Sequence, residues 1–186
     1  MSFGLEMHHP HIHEAIKTAY SKDIILFAAA SNGGNCGVTY PAKYHEVICV
    51  FSTDGMGNAS ACNPTETRKP GYQFATLGEA VKSAWPTMLD KEKGAPRRRK
   101  TGTSFATPIA AGVAACVLEF ALMNDLDDGL YGVLKQHQGM VEILAKHLSV
   151  KRGKLHYIQP WQLFSKDRQA DSILFMLKES LKSLRW

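Results

Sequence analysis

Two unbroken apolar runs limit the folds open to this chain more than any other feature of its sequence. They are "DIILFAAAS" at 23–31 and "HEVICVFS" at 45–52, and neither shows the polar alternation of a strand with one solvated face. Such runs are typical of strands in a parallel sheet, because helices cover both faces of that sheet. A third, shorter strand is predicted within "GYQFATLG" at 71–78.

Helical patterns alternate with these strands. The segment at 11–22 has apolar residues at helical spacing, and a second helix, rich in small residues, is expected from about 104 to 123. Further helices are predicted at 130–149, where Gly139 favours a break, and at 169–184, which is amphipathic. Strands that alternate with helices predict an α/β fold, with a mostly parallel sheet between helical layers.

Segment 82–102 has no apolar period and contains two prolines and seven Lys or Arg residues, so we expect an exposed loop. Its run "RRRK" at 97–100 supplies four positive charges, against a net charge of +5 for the 186-residue chain. The rest of the chain is nearly balanced, and a nucleic-acid surface is therefore not indicated. The run is interpreted as a short basic loop, with a nuclear-import signal or an acidic docking partner as alternatives.

Cysteine and hydropathy patterns bear on the cellular setting. The four cysteines form no CxxC pair and no zinc-type spacing with histidine, which favours a reducing, cytoplasmic compartment. The longest apolar run, at 108–118, is shorter than the roughly 20 residues of a membrane span. The first residues lack the basic start and apolar stretch of a signal peptide. We therefore do not expect membrane insertion, and no cofactor is identified.

The segment "GTSFATP" at 102–108 opens the helix that follows the basic run. It resembles the nucleophile segment G-T-S-x-A-[ST]-P of the subtilisin-like serine proteases, with Phe105 at the unrestricted position. The resemblance implies that Ser104 is the nucleophile that attacks a substrate carbonyl. The position is physically suitable, because the free N–H groups at a helix N-terminus favour developing negative charge.

A second motif ends the first apolar run. "LFAAASNGG" at 26–34 resembles the strand of the same family that ends in A-A-A-G-N. The resemblance implies that the Asn32 carboxamide donates to the oxyanion, together with the backbone N–H of Ser104. Ser31 stands where the family more often has glycine, which would alter one wall of the primary specificity pocket. Without the Ser104 motif, Asn32 would be interpreted as a turn residue before two glycines.

The opening "MSFG" at 1–4 resembles the substrate-binding strand of the family, along which a bound peptide adds by backbone pairing. The segments at 39–50 and 74–85 also resemble family segments, and Tyr40–Pro41 is a candidate cis peptide. The resemblance implies a substrate cleft formed by six residues from two segments: Ser2, Phe3, Gly4, Ala29, Ala30 and Ser31.

These motifs extend from residue 1 to about residue 123. We therefore expect a partial subtilisin-like peptidase domain at 1–123 and a helical C-terminal extension at 124–186 that packs on the same domain. The family's fold is a three-layer α/β sandwich, and its N-terminal strands are expected to be missing here. An apolar sheet with an uncovered edge predicts marginal stability for the chain on its own.

The family's aspartate and histidine motifs, D-[ST]-G and H-G-T-x-[VC]-A-G, do not occur in the sequence. We expect the general base, its orienting aspartate and any signal peptide to lie upstream of Met1. "HHPHIH" at 8–13 leaves a metal site, a stand-in base or a solvated surface cluster open, and the surface cluster is favoured because no acidic or sulfur ligand has catalytic zinc spacing. Lys100 lacks the spacing of a Ser–Lys dyad with Ser104.

The sequence thus predicts a serine endopeptidase that cleaves polypeptides through an acyl-enzyme on Ser104. This chain alone is expected to be inactive, because a serine hydroxyl needs a base to remove its proton. The alternative is a non-catalytic module that retains the peptide groove or uses its C-terminal helices for interactions. Polypeptide substrates are the expected partners; a metal, nucleic acid and a membrane are not expected, and the oligomeric state is left open.

Overall fold

The computed structural model describes residues 1–65, 71–86 and 97–184. A short 3₁₀ turn, Pro160–Gln162, precedes the last helix. The helices are α1 (Pro10–Tyr20), α2 (Thr103–Met123), α3 (Asp128–Lys135), α4 (His137–His147) and α5 (Ala170–Lys182). The strands are β1 (Leu26–Ala29), β2 (Val47–Thr53), β3 (Phe74–Leu77), β4 (Val81–Ala84), β5 (Arg97–Lys100), β6 (Ser149–Arg152) and β7 (Leu155–Ile158).

The main sheet has five strands in the order β1-β2-β3-β7-β6. The first four of these run parallel to one another, and β6 pairs antiparallel with β7. All seven residues of β2 are buried, as are the last three of β1. The prediction of a mostly parallel sheet from the two apolar runs is therefore confirmed.

The sheet separates two hydrophobic cores, and its side chains alternate between them. Phe27 and Ile48 belong to the core that also contains the buried apolar side chains of α2 to α5. Ala28 and Cys49, the next residues along each strand, belong to the other core, which includes Ile16 of α1. Successive residues of a strand point to opposite faces, so helices cover both sides of the sheet. The result is a three-layer α/β sandwich.

Helix α2 lies against β1, β2 and β3 and connects the basic hairpin to the C-terminal helices. By length and composition it could cross a membrane, with a mean hydropathy of 1.8. A central core helix meets the same criteria, and the eight buried residues of α2 are consistent with that role. Its predicted bounds, about 104 to 123, agree with the structure.

The predicted helix at 130–149 is interrupted, but not where the sequence suggested. The break falls at Gln136, whose backbone is extended, and Gly139 lies inside α4. A Cβ on Gly139 would lie only 2.0 Å from the carbonyl oxygen of Val133. Gly139 thus allows α4 to approach the backbone of α3. In the sequence, a glycine required for such close packing looks the same as a glycine that breaks a helix.

The expectation of a loop at 82–102 is wrong for the described residues at its two ends. β4 and β5 pair antiparallel in a separate two-stranded sheet, with residues 87–96 outside the described part. The hairpin escaped prediction because most of its side chains are exposed and carry no apolar period. A second hairpin, β6–β7, was also not anticipated within the C-terminal region, and β7 adds to the main sheet beside β3.

Candidate active site

The N-terminus of α2 is fixed to the carboxyl end of the main sheet through glycine contacts. Gly102, the N-cap residue of α2, donates its N–H to the Gly78 carbonyl at 2.9 Å. Its φ of 149° lies in a region that favours glycine, and a Cβ there would lie 2.9 Å from Asn32 Nδ2. Ser104, two residues later, is half-buried in the first turn of the helix.

Asn32 lies beside this helix N-terminus, in the turn three residues after β1. Its Oδ1 accepts hydrogen bonds from the backbone N of Thr103 at 2.7 Å and from Thr103 Oγ1 at 3.0 Å. A backbone N–H can only donate, so the amide oxygen must face Thr103 and the amide NH₂ must face away. Among the described residues this NH₂ group has no hydrogen-bond partner and remains available as a donor.

The opening segment lies between β1 and the Ser104 hydroxyl. Met1 forms two hydrogen bonds with β1: its amino group donates to the Phe27 carbonyl, and its carbonyl accepts from the Ala29 N–H. Ser104 Oγ donates to the Ser2 carbonyl oxygen at 3.1 Å. Ser2, Phe3 and Gly4 are exposed, so their backbone is accessible beside the candidate nucleophile.

The predicted cleft has two walls, Ser2–Gly4 and Ala29–Ser31, and the residues of the second wall differ in exposure. Ala29 and Ala30 are buried, while Ser31 is half-buried and its Oγ accepts from the Gly33 N–H at 3.1 Å. The two alanine methyl groups therefore belong to the core. Ser31 is the member of this wall with side-chain surface open to a ligand.

Thr39 joins the Ser2–Gly4 segment to the Ala29–Ser31 segment, and no sequence motif marked it as a site residue. Its backbone N and its Oγ1 both donate to the Ala30 carbonyl, at 2.9 and 3.1 Å. A Cβ on Gly4 would lie 2.1 Å from Thr39 Oγ1, so the two residues are packed closely. The adjoining Tyr40–Pro41 bond is cis, which confirms the prediction for that bond.

The histidines near the N-terminus form a separate cluster around Tyr44 and Glu46. His8 Nδ1 lies 2.9 Å from Tyr44 Oη, and His13 Nε2 lies 3.1 Å from the buried Glu46 carboxylate. His45 Nδ1 is 3.4 Å from the other Glu46 oxygen. Burial of Glu46 raises its pKa, but a backbone hydrogen bond, the His13 bond and the two imidazole charges outweigh burial and lower it overall.

This cluster does not approach the candidate nucleophile through any described contact. Histidines 8, 9 and 11 are exposed, whereas His13 is half-buried and paired, so the cluster is only partly solvated. In the described ranges, no three His, Cys, Asp or Glu side chains are placed to hold a metal ion. Lys100 is also directed elsewhere, because its ammonium lies 4.8 Å from the centre of the Trp85 ring.

The fold and the site define a class: an α/β sandwich that presents a serine at the N-terminus of its central helix, beside a side-chain amide. The model of the Subtilase family matches residues 1–141. The chain belongs to the subtilase family. The match continues past residue 123, through α3 and into α4.

Curated relatives are similar over about three fifths of the chain. Thermitase of Thermoactinomyces vulgaris is 33% identical over 114 residues, which is 61% of this chain and 37% of the relative. Subtilisin BL of Lederbergia lenta is 30% identical over 106 residues, 57% of this chain and 36% of the relative. The chain thus matches well under half the length of these curated relatives.

Solved structures share the fold over nearly the whole chain. The Patellamide maturation protease PatA has a TM-score of 0.71 at 20% identity, and the alignment covers 96% of this chain and 62% of that one. The Prenylagaramide maturation protease PagA has a TM-score of 0.68 at 21% identity, covering 97% and 60%. The shared fold therefore includes the C-terminal third, where the sequence showed no family motif.

Proposed function

We propose that this chain carries the nucleophile and the oxyanion-stabilising part of a serine endopeptidase active site. One observation carries the proposal: the Asn32 carboxamide is fixed by two hydrogen bonds from Thr103, the residue directly before Ser104. The same two bonds leave the Asn32 NH₂ group as a donor. The family membership and the protease relatives support a proteolytic role.

In the proposed reaction, Ser104 Oγ attacks the carbonyl carbon of a peptide bond and forms an acyl-enzyme, which water then hydrolyses. The negative oxygen of the tetrahedral intermediate accepts from the Asn32 NH₂ group and from the Ser104 backbone N–H. The N-terminus of α2 adds partial positive charge at the same place. Loss of the corresponding asparagine donor in subtilisin costs about 10²–10³ in rate, and we adopt that magnitude.

The step that this chain does not supply from its described residues is proton removal. The only hydrogen bond of Ser104 Oγ within that part goes to the Ser2 carbonyl, which does not serve as a general base. A general base must lie about 2.6–3.2 Å from the proton it takes. We propose that a histidine and its orienting aspartate come from sequence preceding Met1. Subtilisin loses about 10⁶ in turnover without its histidine, so the chain alone is expected to be inactive.

Extended polypeptides are the proposed substrates. The exposed backbone of Ser2–Gly4 would pair with the substrate backbone and give grip that does not depend on its sequence. Ser31 would contact the side chain next to the scissile bond, while Ala29 and Ala30 support the wall from the core.

A fluorophosphonate probe applied to the full-length gene product tests the proposal. Labelling should occur in the wild type and in the exposed-serine control Ser172→Ala, and it should vanish in Ser104→Ala. Equal labelling of the wild type and Ser104→Ala would contradict the assignment. An unlabelled wild type that still binds extended peptides would instead support the non-catalytic module, which the Ser104–Ser2 hydrogen bond also allows.

A further inference from the structure

The hairpin β4–β5 precedes the candidate nucleophile and carries five cations. Successive side chains of a strand alternate between faces, so Arg98 and Lys100 share one face and Arg97 and Arg99 share the other. Lys82 lies directly opposite Arg99 across the hairpin and belongs to the second face. We call Lys82, Arg97 and Arg99 the cationic face.

Aromatic stacking accounts for the first face but not for the cationic face. Arg98 and Lys100 lie 5.3 and 4.8 Å from the centre of the Trp85 ring, within the range of a cation–π interaction. On the other face, like charges at Lys82 and Arg99 stand opposite each other, which destabilises an antiparallel pair. The strand pairing of the hairpin is therefore weakened by the repulsion between these two cations.

Little in the described residues neutralises the cationic face. Arg99 donates to the Ala80 carbonyl at 3.1 Å, but within residues 1–65, 71–86 and 97–184 none of the three cations forms an ion pair with a carboxylate. Glu79, close by in sequence, forms none with them. The connecting segment 87–96 contains two acidic and two basic residues, so its composition adds no net negative charge. The hairpin as a whole is left strongly positive.

The base of this hairpin is fixed close to Ser104. Thr101 Oγ1 accepts from the Ala80 N–H at 3.0 Å, and the Gly102 N–H donates to the carbonyl of Gly78, directly after the carboxyl end of β3. Lys100 precedes Ser104 by four positions, a span of at most about 14 Å. A peptide bound at Ser104 would therefore bring residues a few positions from its scissile bond near the hairpin, and unscreened attraction acts over about 8–10 Å.

We propose that the cationic face binds acidic side chains of the polypeptide substrate, a few residues away from the bond that Ser104 attacks. This inference rests on the proposed function, since it deepens the substrate class from polypeptides to polypeptides with a nearby acidic segment. Charge complementarity selects the occupant: three exposed cations on one face fit a row of carboxylates. A carboxylate lying between Lys82 and Arg99 would also offset their mutual repulsion.

The experiment measures binding rather than cleavage, using the full-length gene product with Ser104→Ala. Fluorescence anisotropy of a labelled glutamate-rich peptide is compared with that of its glutamine counterpart at low ionic strength. Lys82→Gln/Arg97→Gln/Arg99→Gln should weaken the glutamate peptide about tenfold, because each exposed ion pair contributes a small, additive share. The control Lys151→Gln/Arg152→Gln/Lys154→Gln, which removes the same charge from the β6–β7 hairpin, should leave binding unchanged.

A charge-reversal variant distinguishes loss of the binding surface from loss of the fold, because it should gain a new ligand. Lys82→Glu/Arg97→Glu/Arg99→Glu should lose the glutamate peptide and bind a lysine-rich peptide instead. Equal weakening by both glutamine triples, or no weakening by the first, overturns the proposal. A single-stranded oligonucleotide that binds as tightly as the glutamate peptide also overturns it, in favour of a nucleic-acid surface. Fluorophosphonate labelling of Ser104 is independent of these results, so failure of the docking inference and failure of the protease assignment remain distinguishable.

Discussion

Substitutions at Asn32 separate its two roles, because its oxygen holds Thr103 and its nitrogen is free to donate. Asn32→Asp keeps both acceptor contacts to Thr103 and removes the donor. Asn32→Leu removes both. The two variants should therefore have different stabilities and equally low reactivities.

The magnitudes follow from the burial of Thr103, which is 0% exposed. In Asn32→Leu, the Thr103 backbone N–H loses its acceptor inside the protein, and an unsatisfied buried donor costs about 1–3 kcal/mol. The Thr103 hydroxyl can rotate, so we expect a loss near 2 kcal/mol in the free energy of unfolding. Asn32→Asp should stay within about 1 kcal/mol of the wild type, since a negative charge near a helix N-terminus is favourable by about 0.3–1 kcal/mol.

Two measurements on the full-length gene product check this prediction. Urea unfolding gives the free energy of unfolding, and the rate of fluorophosphonate labelling reports stabilisation of the oxyanion at Ser104. Both variants should label about 10²–10³ times more slowly than the wild type. Asn35→Asp and Asn35→Leu, three residues away in the same exposed turn, serve as controls and should change neither quantity. Wild-type labelling by Asn32→Asp, or equal stability of the two Asn32 variants, would refute the reasoning.

Two further predictions concern the C-terminal helices. Gly139→Ala should destabilise the protein by about 2 kcal/mol in urea unfolding, because its Cβ would meet the Val133 carbonyl at 2.0 Å. The control Gly132→Ala, whose Cβ would have nothing within 4 Å, should stabilise the protein by about 0.5–1 kcal/mol. A stabilising effect of Gly139→Ala would disprove the close approach of α3 and α4. Burial lowers the pKa of His147, whose Nε2 lies 2.7 Å from Ser180 Oγ, below its usual 6.5. The unfolded chain then binds the proton more tightly, so stability should fall as the pH drops below about 6.5, and unfolding of His147→Gln across that range should show a smaller decrease than the wild type.

The strands that position the site could be predicted from the sequence because their apolar composition indicates burial on both faces. A run such as Val47–Phe51 is apolar at every position, and only a strand covered on both faces accounts for that. The close pairing of Asn32 with the start of α2 followed from two motifs that lie far apart in the chain. The motifs did not predict that Thr103 is the residue that hydrogen-bonds to Asn32.

The features that escaped prediction depend on contacts between distant segments. Thr39 packs on Gly4 and bonds to Ala30, and no local pattern marks a threonine for that position. β7 is a four-residue strand whose pairing with β3 is set by the fold and not by its own sequence. The basic run at 97–100 looked like a loop because backbone pairing, and not apolar burial, holds it in a strand.

The sheet itself brings Asn32 and the start of α2 together at the place where open α/β sheets bind ligands, the carboxyl ends of their parallel strands. Asn32 follows the carboxyl end of β1, and Gly78, which follows β3, anchors Gly102 at the start of α2. A base from any other segment then faces one requirement at Ser104: the Oγ–H must rotate away from the Ser2 carbonyl toward the base. That rotation is about a single bond and leaves α2, Thr103 and Asn32 in place. In the proposed reaction, activation of Ser104 is therefore a local change in hydrogen bonding, and it does not require the proposed oxyanion site to be rebuilt.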